Sequence, residues 1–183
     1  MTLRSVKSLI AVILMLGAGL ALAVRPPAAA AAALVLDWQV IGTGTGAPNG
    51  CTIATTTICT FSGSSTGDRV GNSTYVVTIT ATDTLIEHNG SGGDCAIASG
   101  SGSVTAADGS KVSFNTVGLL CQEGAPTSTP VHYNGTYRIT PATSGRFAAA
   151  VGGGSLVATL TNPVQPTTTV PVSFIKIDGT INF

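Results

Sequence analysis

Ser65 stands in the stretch GSSTG, Gly63 to Gly67, which has the G-x-S-x-G spacing of a nucleophilic serine. Such a serine needs a sharp turn between a strand and a helix, and a histidine base that removes its proton. No helical pattern follows this stretch, and the two histidines are expected in a turn (His88) and on an exposed strand (His132). The sequence therefore assigns no catalytic residue and favours a protein that is not an enzyme.

A second motif bears on nucleotide binding. GTGTGA, Gly42 to Ala47, has the spacing of a dinucleotide-binding turn. Pro48, Asn49 and Gly50 follow at the point where the phosphate-binding helix would begin. Because a helix N-terminus is needed to hold the phosphates, we expect no nucleotide and no other cofactor.

The chain has four cysteines, which suit either a zinc site or two disulfides. Seven residues separate Cys51 from Cys59, whereas paired zinc ligands are usually about two to four residues apart. An exported chain, which the N-terminal segment described below indicates, also meets an oxidising environment. The sequence thus predicts two disulfides and no metal site.

The hairpin around AADGS, Ala106 to Ser110, selects the disulfide pairing. It suits a three-residue loop with Gly109 in the left-handed conformation and Ala106 opposite Ser110. Continued along the strands, this register places Cys95 opposite Cys121 at a non-hydrogen-bonded position, where strands are close enough for a disulfide. The sequence therefore predicts a Cys95–Cys121 bridge.

The same register places Phe114 opposite Gly102, so that the ring covers backbone that glycine leaves bare. Cys51 and Cys59 remain as the second pair by elimination, and their bridge would close a short loop.

The N-terminal segment is typical of a secretory signal peptide. Arg4 and Lys7 precede an apolar run, Leu9 to Ala23, which ends in small residues and is shorter than a bilayer span. We predict a signal peptide over residues 1–23, with a cut as late as residue 33, a Pro/Ala-rich linker over residues 24–33 and a single domain over residues 34–183. The protein is expected to be secreted to the extracellular space, the cell surface or the periplasm, with no stable membrane span.

Charge is sparse in the mature chain. Removing Arg4 and Lys7 from the eight basic residues leaves six against eight acidic ones, with no cluster of either sign. Nucleic acid is therefore not an expected partner.

Period-two alternation of apolar and hydroxyl residues dominates the chain and is clearest in TYVVTITATDTLI, Thr74 to Ile86. Glycine, proline, asparagine and aspartate fill the gaps, including a Gly/Pro/Asn cluster over residues 42–50 that is expected to end the first strand. The predicted strands are Leu34 to Ile41, Thr52 to Phe61, Thr74 to Ile86, Ala96 to Ala106, Lys111 to Leu120, Val131 to Thr140, Ser155 to Thr161 and Val172 to Phe183. We predict an all-β fold, a single antiparallel barrel of about eight strands, with a β-sandwich as the alternative.

The few large side chains are candidates for the core or for the lining of a pocket. They are Trp38, Tyr75, Phe114, Tyr137, Arg138, Phe147 and Phe174, with Arg138 placed more readily at the rim or surface. Gly145 is expected to supply a positive φ in the turn that precedes Arg146 and Phe147. Phe147 should pack inward, and Arg146 should reach water or cover the barrel rim.

Arg146 to Gly152, RFAAAVG, resembles the x-Phe-x-x-Ala-x-Gly motif of the allene oxide cyclase and dirigent type of β-barrel. The order of an Asp-Gly hairpin, a strand with NGTY and a final strand with DGTI is also similar to small secreted bacterial barrels of that kind. The resemblance covers the C-terminal half and implies an eight-stranded barrel of calycin-like shape. It carries over no catalytic residue, because none of the polar groups that plant members use in the barrel mouth can be matched here.

These observations favour an exported, non-catalytic barrel that acts as a structural or binding module at or outside the cell surface. One alternative is a barrel that holds a small apolar ligand, with isomerase or cyclase as the candidate activity, since a barrel of this size encloses one small ligand. A lesser alternative is an outer-membrane barrel, suggested by the final strand IKIDGTINF, although aromatic girdles are not visible in the sequence.

Overall fold

The computed structural model describes residues 35–46, 58–87, 94–122, 131–160 and 171–183. The predicted signal peptide and linker, Cys51 and His88 lie outside these residues. Eight strands are found: β1 Val35–Gly46, β2 Ile58–Gly67, β3 Gly71–Glu87, β4 Asp94–Ala106, β5 Lys111–Gln122, β6 Val131–Ile139, β7 Val151–Leu160 and β8 Pro171–Asn182.

The strands form one closed antiparallel barrel. Each strand pairs with its neighbours in chain order, and β1 also pairs with β8 over the register from Val35–Asn182 to Thr45–Pro171. The predicted eight-stranded barrel is therefore confirmed. The sandwich alternative is wrong. Two separate sheets would each have unpaired edge strands, whereas β1 and β8 pair with each other and close the sheet.

The β4–β5 hairpin has the predicted register throughout. The Ala106 backbone N–H donates to the Ser110 carbonyl over 2.9 Å, and Gly109 adopts a φ of 80°. Cys95 then lies opposite Cys121, and a disulfide joins them. Cys59 is also disulfide-bonded, whereas its predicted partner lies outside the described residues.

Alternation sorts the side chains into an apolar interior and a mainly polar exterior. Apolar side chains occupy the interior, and the largest of them are almost inaccessible to solvent. They are Trp38, Phe61, Tyr75, Ile79, Phe114, Leu120, Tyr133, Phe147, Leu156, Ile175 and Ile177.

Two glycine-rich segments were wrongly expected to interrupt strands. β1 continues through the cluster to Gly46, and β2 extends to Gly67, so that GSSTG lies within a strand. Gly44 pairs with Gly63, and a Cβ on Gly44 would collide with the Ser62 carbonyl oxygen and lie 2.7 Å from Gly63 Cα. These glycines therefore allow close approach of two backbones and do not mark a turn.

Glycines also hid the start of β7. This strand begins at Val151 and includes three successive glycines, whereas the sequence suggested a start at Ser155. Phe147, which was expected to follow the turn and pack inward, lies in a short 3-10 helix, Gly145–Phe147, and is buried. No helix in the described part of the chain is long and apolar enough to cross a membrane.

Candidate functional site

An aromatic layer crosses the barrel interior. The ring of Tyr137 on β6 packs edge-on against Phe114 on β5, with centroids 5.4 Å apart, and lies 6.4 Å from the ring of Trp38 on β1. Phe114 also covers Gly102, where a Cβ would lie 2.6 Å from Cζ of the ring. The predicted pairing of Phe114 with Gly102 is thus confirmed, and these rings fill space in the core.

Hydrogen bonding in the interior is uneven. The Tyr133 hydroxyl lies 2.7 Å from Thr116 Oγ1, which donates to the Thr136 carbonyl over 2.8 Å. Among the described residues, Tyr75 OH, Gln122 Nε2 and Asn182 Oδ1 are buried without a hydrogen-bond partner, and Trp38 Nε1 and Tyr137 OH lie near each other without a well-formed hydrogen bond. A buried polar atom without a partner has lost its hydration, so that these atoms are an unusual feature of the barrel.

The buried phenols stay neutral at ordinary pH. Burial raises the pKa of Tyr75 to about 12. Burial also raises the pKa of Tyr137, and it outweighs the opposing effect of the nearby Trp38 indole, while the Asp178 charge adds a smaller rise. Because neither hydroxyl ionises near neutral pH, neither serves as a general base there.

Among the described residues, no base hydrogen-bonds to the hydroxyl of Ser65. Ser65 is buried on β2, and its Oγ lies 2.8 Å from Oγ of Ser73 on β3. His132 Nδ1 lies 3.2 Å from Thr159 Oγ1 on the neighbouring strand, and His88 is outside the described residues. In the described ranges, no three His, Cys, Asp or Glu side chains cluster closely enough to hold a metal ion.

The structure divides the seven large candidate side chains between two environments. Five are buried, namely Trp38, Tyr75, Phe114, Tyr137 and Phe147. Arg138 is exposed on the outer face of β6, and Phe174 is only half-buried beside the core residue Ile175. Since side chains alternate along a strand, Phe174 faces outward and does not line the interior, contrary to its candidate role.

One end of the barrel is closed by Phe147 and Arg146. Phe147 is 1% exposed, and its ring stacks on Phe183 with centroids 6.0 Å apart. The Arg146 guanidinium lies 4.9 Å from the Phe147 ring centroid, forms an ion pair with Asp108 at 3.2 Å and donates to the Arg69 carbonyl over 3.0 Å. We call this group of contacts the Arg146 clasp.

The clasp joins three connections that are far apart in sequence: β2–β3, β4–β5 and β6–β7. Gly145 has the expected positive φ, 64°, and the Arg146 backbone N–H donates to Ser110 Oγ over 3.2 Å. The sequence suggested that Arg146 lies at the rim but gave no sign of its partners. Only closure of the barrel brings Asp108 and Arg69 within its reach.

The outer wall of the barrel differs between its two halves. Residues 58–67, 71–82 and 95–106, on β2, β3 and β4, include no charged residue. The other half carries Asp37, Arg138, Lys176 and Asp178. We call the outward hydroxyl side chains of the uncharged half the hydroxyl wall: Thr60, Ser62, Ser64, Thr66, Thr74, Thr78, Thr80, Thr82, Ser99, Ser101, Ser103 and Thr105.

The fold, the buried interior and the hydroxyl wall together define a closed antiparallel β-barrel with an apolar interior and an extensive uncharged area on its outer surface. Comparison with known proteins finds no matching family model, no similar curated protein and no similar solved structure. The function is therefore argued from this chain alone.

Proposed function

We propose that this protein is an exported, non-catalytic β-barrel that acts through its outer surface as a structural or binding module. The observation that carries the proposal is the interior, in which apolar side chains from all eight strands are almost inaccessible to solvent. Because side chains occupy the interior, the outer surface is the part of the barrel that a partner can reach.

The chemistry of the described residues supports a non-catalytic role. Burial keeps the phenol of Tyr75 neutral, and the Ser65 hydroxyl is hydrogen-bonded to the Ser73 hydroxyl. General acid–base catalysis needs a group that changes protonation near the working pH, placed beside a reacting atom. Neither the interior nor the Arg146 clasp offers such a pair.

Export is supported by the signal-like N-terminal sequence and by the Cys95–Cys121 disulfide, a bond that persists in oxidising compartments. The arrangement of polarity favours a barrel surrounded by water over an outer-membrane barrel. Transmembrane barrels carry an apolar band outside and polar groups inside, whereas this barrel has the apolar side chains inside and many hydroxyls outside.

A second candidate function is binding of one small, mainly apolar ligand inside the barrel. The specific observation in its favour is the presence of buried polar atoms without a well-formed hydrogen bond, among them Trp38 Nε1, Tyr75 OH and Tyr137 OH. A ligand with a hydrogen-bond acceptor would satisfy them. With this second candidate we also propose that the resemblance of Arg146 to Gly152 to barrels of the allene oxide cyclase and dirigent type reflects a shared fold.

Two measurements on protein from its own host test these functions. Cell fractionation with N-terminal sequencing should find the mature chain outside the cytoplasm, beginning after residue 23 or as late as after residue 33. Native mass spectrometry of that protein should give the mass of the chain alone. A cytoplasmic, unprocessed chain would contradict export, and a bound small molecule would favour the second candidate.

A further inference from the structure

The hydroxyl wall is an unusual surface for a protein in water. Exposed walls normally mix charged residues of both signs, and the other half of this barrel does so with Asp37, Arg138, Lys176 and Asp178. Three neighbouring strands with hydroxyls and no charge over residues 58–67, 71–82 and 95–106 therefore present a large, neutral surface, in which the exposed aliphatic side chains Ile58, Val76 and Ile97 lie among the hydroxyls.

The hydroxyls are arranged in rows across the strands. Thr60 pairs with Thr78, and Thr78 pairs with Ser101. Thr60 Oγ1 and Thr78 Oγ1 lie 3.2 Å apart, within hydrogen-bond distance. Neighbouring strands are about 4.8 Å apart, and successive outward residues of one strand are about 6.7 Å apart. The wall is thus a regular two-dimensional array of groups that both donate and accept hydrogen bonds.

Two shallow grooves adjoin this array. One, of about 310 Å³, is lined on the wall side by Val76, Thr78, Ser101 and Ser103, and on the side of β5 and the β6–β7 connection by residues that include Asn115, Ala142 and one cation, Lys111. The other, of about 580 Å³, is lined mainly by small polar residues, among them Ser64 and Thr66. Val76 is 47% exposed, so that the first groove combines hydroxyls with an apolar contact.

We propose that the hydroxyl wall binds a neutral polysaccharide. A chain of sugars presents hydroxyls that match those of the wall as donors and acceptors, and C–H faces that fit Val76 and the threonine methyl groups. The absence of charge over these residue ranges matches an uncharged partner. This inference rests on the proposed function, because it requires a protein that acts through its outer surface.

Other partners fit the wall less well. Nucleic acid needs clustered cations, and a membrane surface needs a broad apolar face. Protein interfaces draw most of their binding energy from tryptophan, tyrosine and arginine, and none of these is among the outward residues of the wall. Neutral hydrogen bonds in water are individually weak, so that a polymer should bind measurably where a single sugar does not.

Affinity electrophoresis of the purified mature protein tests the proposal. Native gels would contain dextran, mannan, galactan or a mixed-linkage β-glucan, which together present polymers of glucose, mannose and galactose. We expect migration to be retarded in at least one gel and the retardation to persist at high salt, because no ion pair is involved. No retardation in any gel, or retardation that salt removes, would overturn the proposal.

Two matched variants locate the binding surface. Ser101 lies in the hydroxyl wall and Ser155 on the charged half, and both are exposed serines within strands. Ser101→Lys should weaken retardation about tenfold or more, because the ammonium loses hydration against an uncharged polymer, whereas Ser155→Lys should change it less than about twofold. Equal effects of the two substitutions would exclude the wall as the site.

The result separates this inference from the proposed function. An exported chain that carries no bound small molecule, and whose migration no polysaccharide retards, would leave the proposed function standing and remove the inference. A chain retained in the cytoplasm would contradict the proposed function whatever the gels show.

Discussion

Arg146 and Phe147 are adjacent in the chain but belong to two regions that are stabilised in different ways. Phe147 is part of the barrel interior and is 1% exposed, whereas the Arg146 side chain lies at the rim and is 49% exposed. The interior depends on removal of apolar surface from water, and the rim on polar contacts that water and salt weaken. The stability of the barrel should therefore respond strongly to interior changes and weakly to changes in the Arg146 clasp.

Phe147→Ala should have the largest effect. The substitution removes a buried ring from the closed end and leaves a cavity, which should lower the free energy of unfolding by about 3–5 kcal/mol. Its matched control is Phe183→Ala, since Phe183 stacks on Phe147 but is 49% exposed. That control should lose about 0.5–1.5 kcal/mol in urea unfolding. Similar losses for both variants would contradict the distinction between interior and rim.

The Cys95–Cys121 bridge ties β4 to β5 far from the clasp, at the other end of the same hairpin. Replacing both cysteines by serine should lower the free energy of unfolding by about 2–4 kcal/mol, mainly because the unfolded chain gains conformational freedom. Urea unfolding under oxidising conditions measures this loss. The Arg146 contacts should survive, so that an additive loss is expected when Cys95→Ser and Cys121→Ser are combined with Arg146→Ala. Strong non-additivity would show that the hairpin couples the two ends.

The interior should also determine the response to alkali. Burial raises the pKa of Tyr75 from 10.0 to about 12, so the folded protein keeps a proton that the unfolded chain loses above about pH 10. The stability that depends on this group is complete below that pH and is lost as the pH rises through about 12. Tyr75→Phe should flatten the alkaline decline without lowering stability at neutral pH, because the hydroxyl has no partner. A clear loss at neutral pH would reveal a partner for this hydroxyl and favour a bound molecule in the interior.

The rim should respond to acid, and by the smallest amount. A hydrogen bond from the Ser110 backbone N–H, with smaller help from the Arg146 charge, lowers the pKa of Asp108 below 3.8. The associated stability is present above the unfolded pKa and is lost as the pH falls through the lower folded value. Asp108→Asn should therefore weaken the dependence of the urea midpoint on pH below about pH 4. An unchanged acid profile would mean that the Asp108 contacts contribute nothing to folding.

Turn and alternating residues predicted the structure well, whereas glycines and one large aromatic residue did not. Alternation and turn chemistry predicted the register of the β4–β5 hairpin, including the Cys95–Cys121 pair, because register follows directly from loop length, although both strands extend two residues beyond their predicted outer ends. The end of β1 and the start of β7 were predicted wrongly, because glycine occurs both in turns and in strands whose backbones pack closely. Phe174 was misplaced because its large apolar side chain suggested burial, whereas alternation with the buried Ile175 and Ile177 places it on the outer face.

The sequence by itself determined the strand-forming pattern, the antiparallel hairpin and one disulfide, all of which depend on residues close together along the chain or related by a single turn. Closure of the barrel decided the rest. It brought Arg146 to Asp108 and Arg69, enclosed Tyr75 and Tyr137 away from water and aligned the hydroxyls of β2, β3 and β4. These arrangements depend on contacts between distant segments, whose geometry exists only once all eight strands are paired.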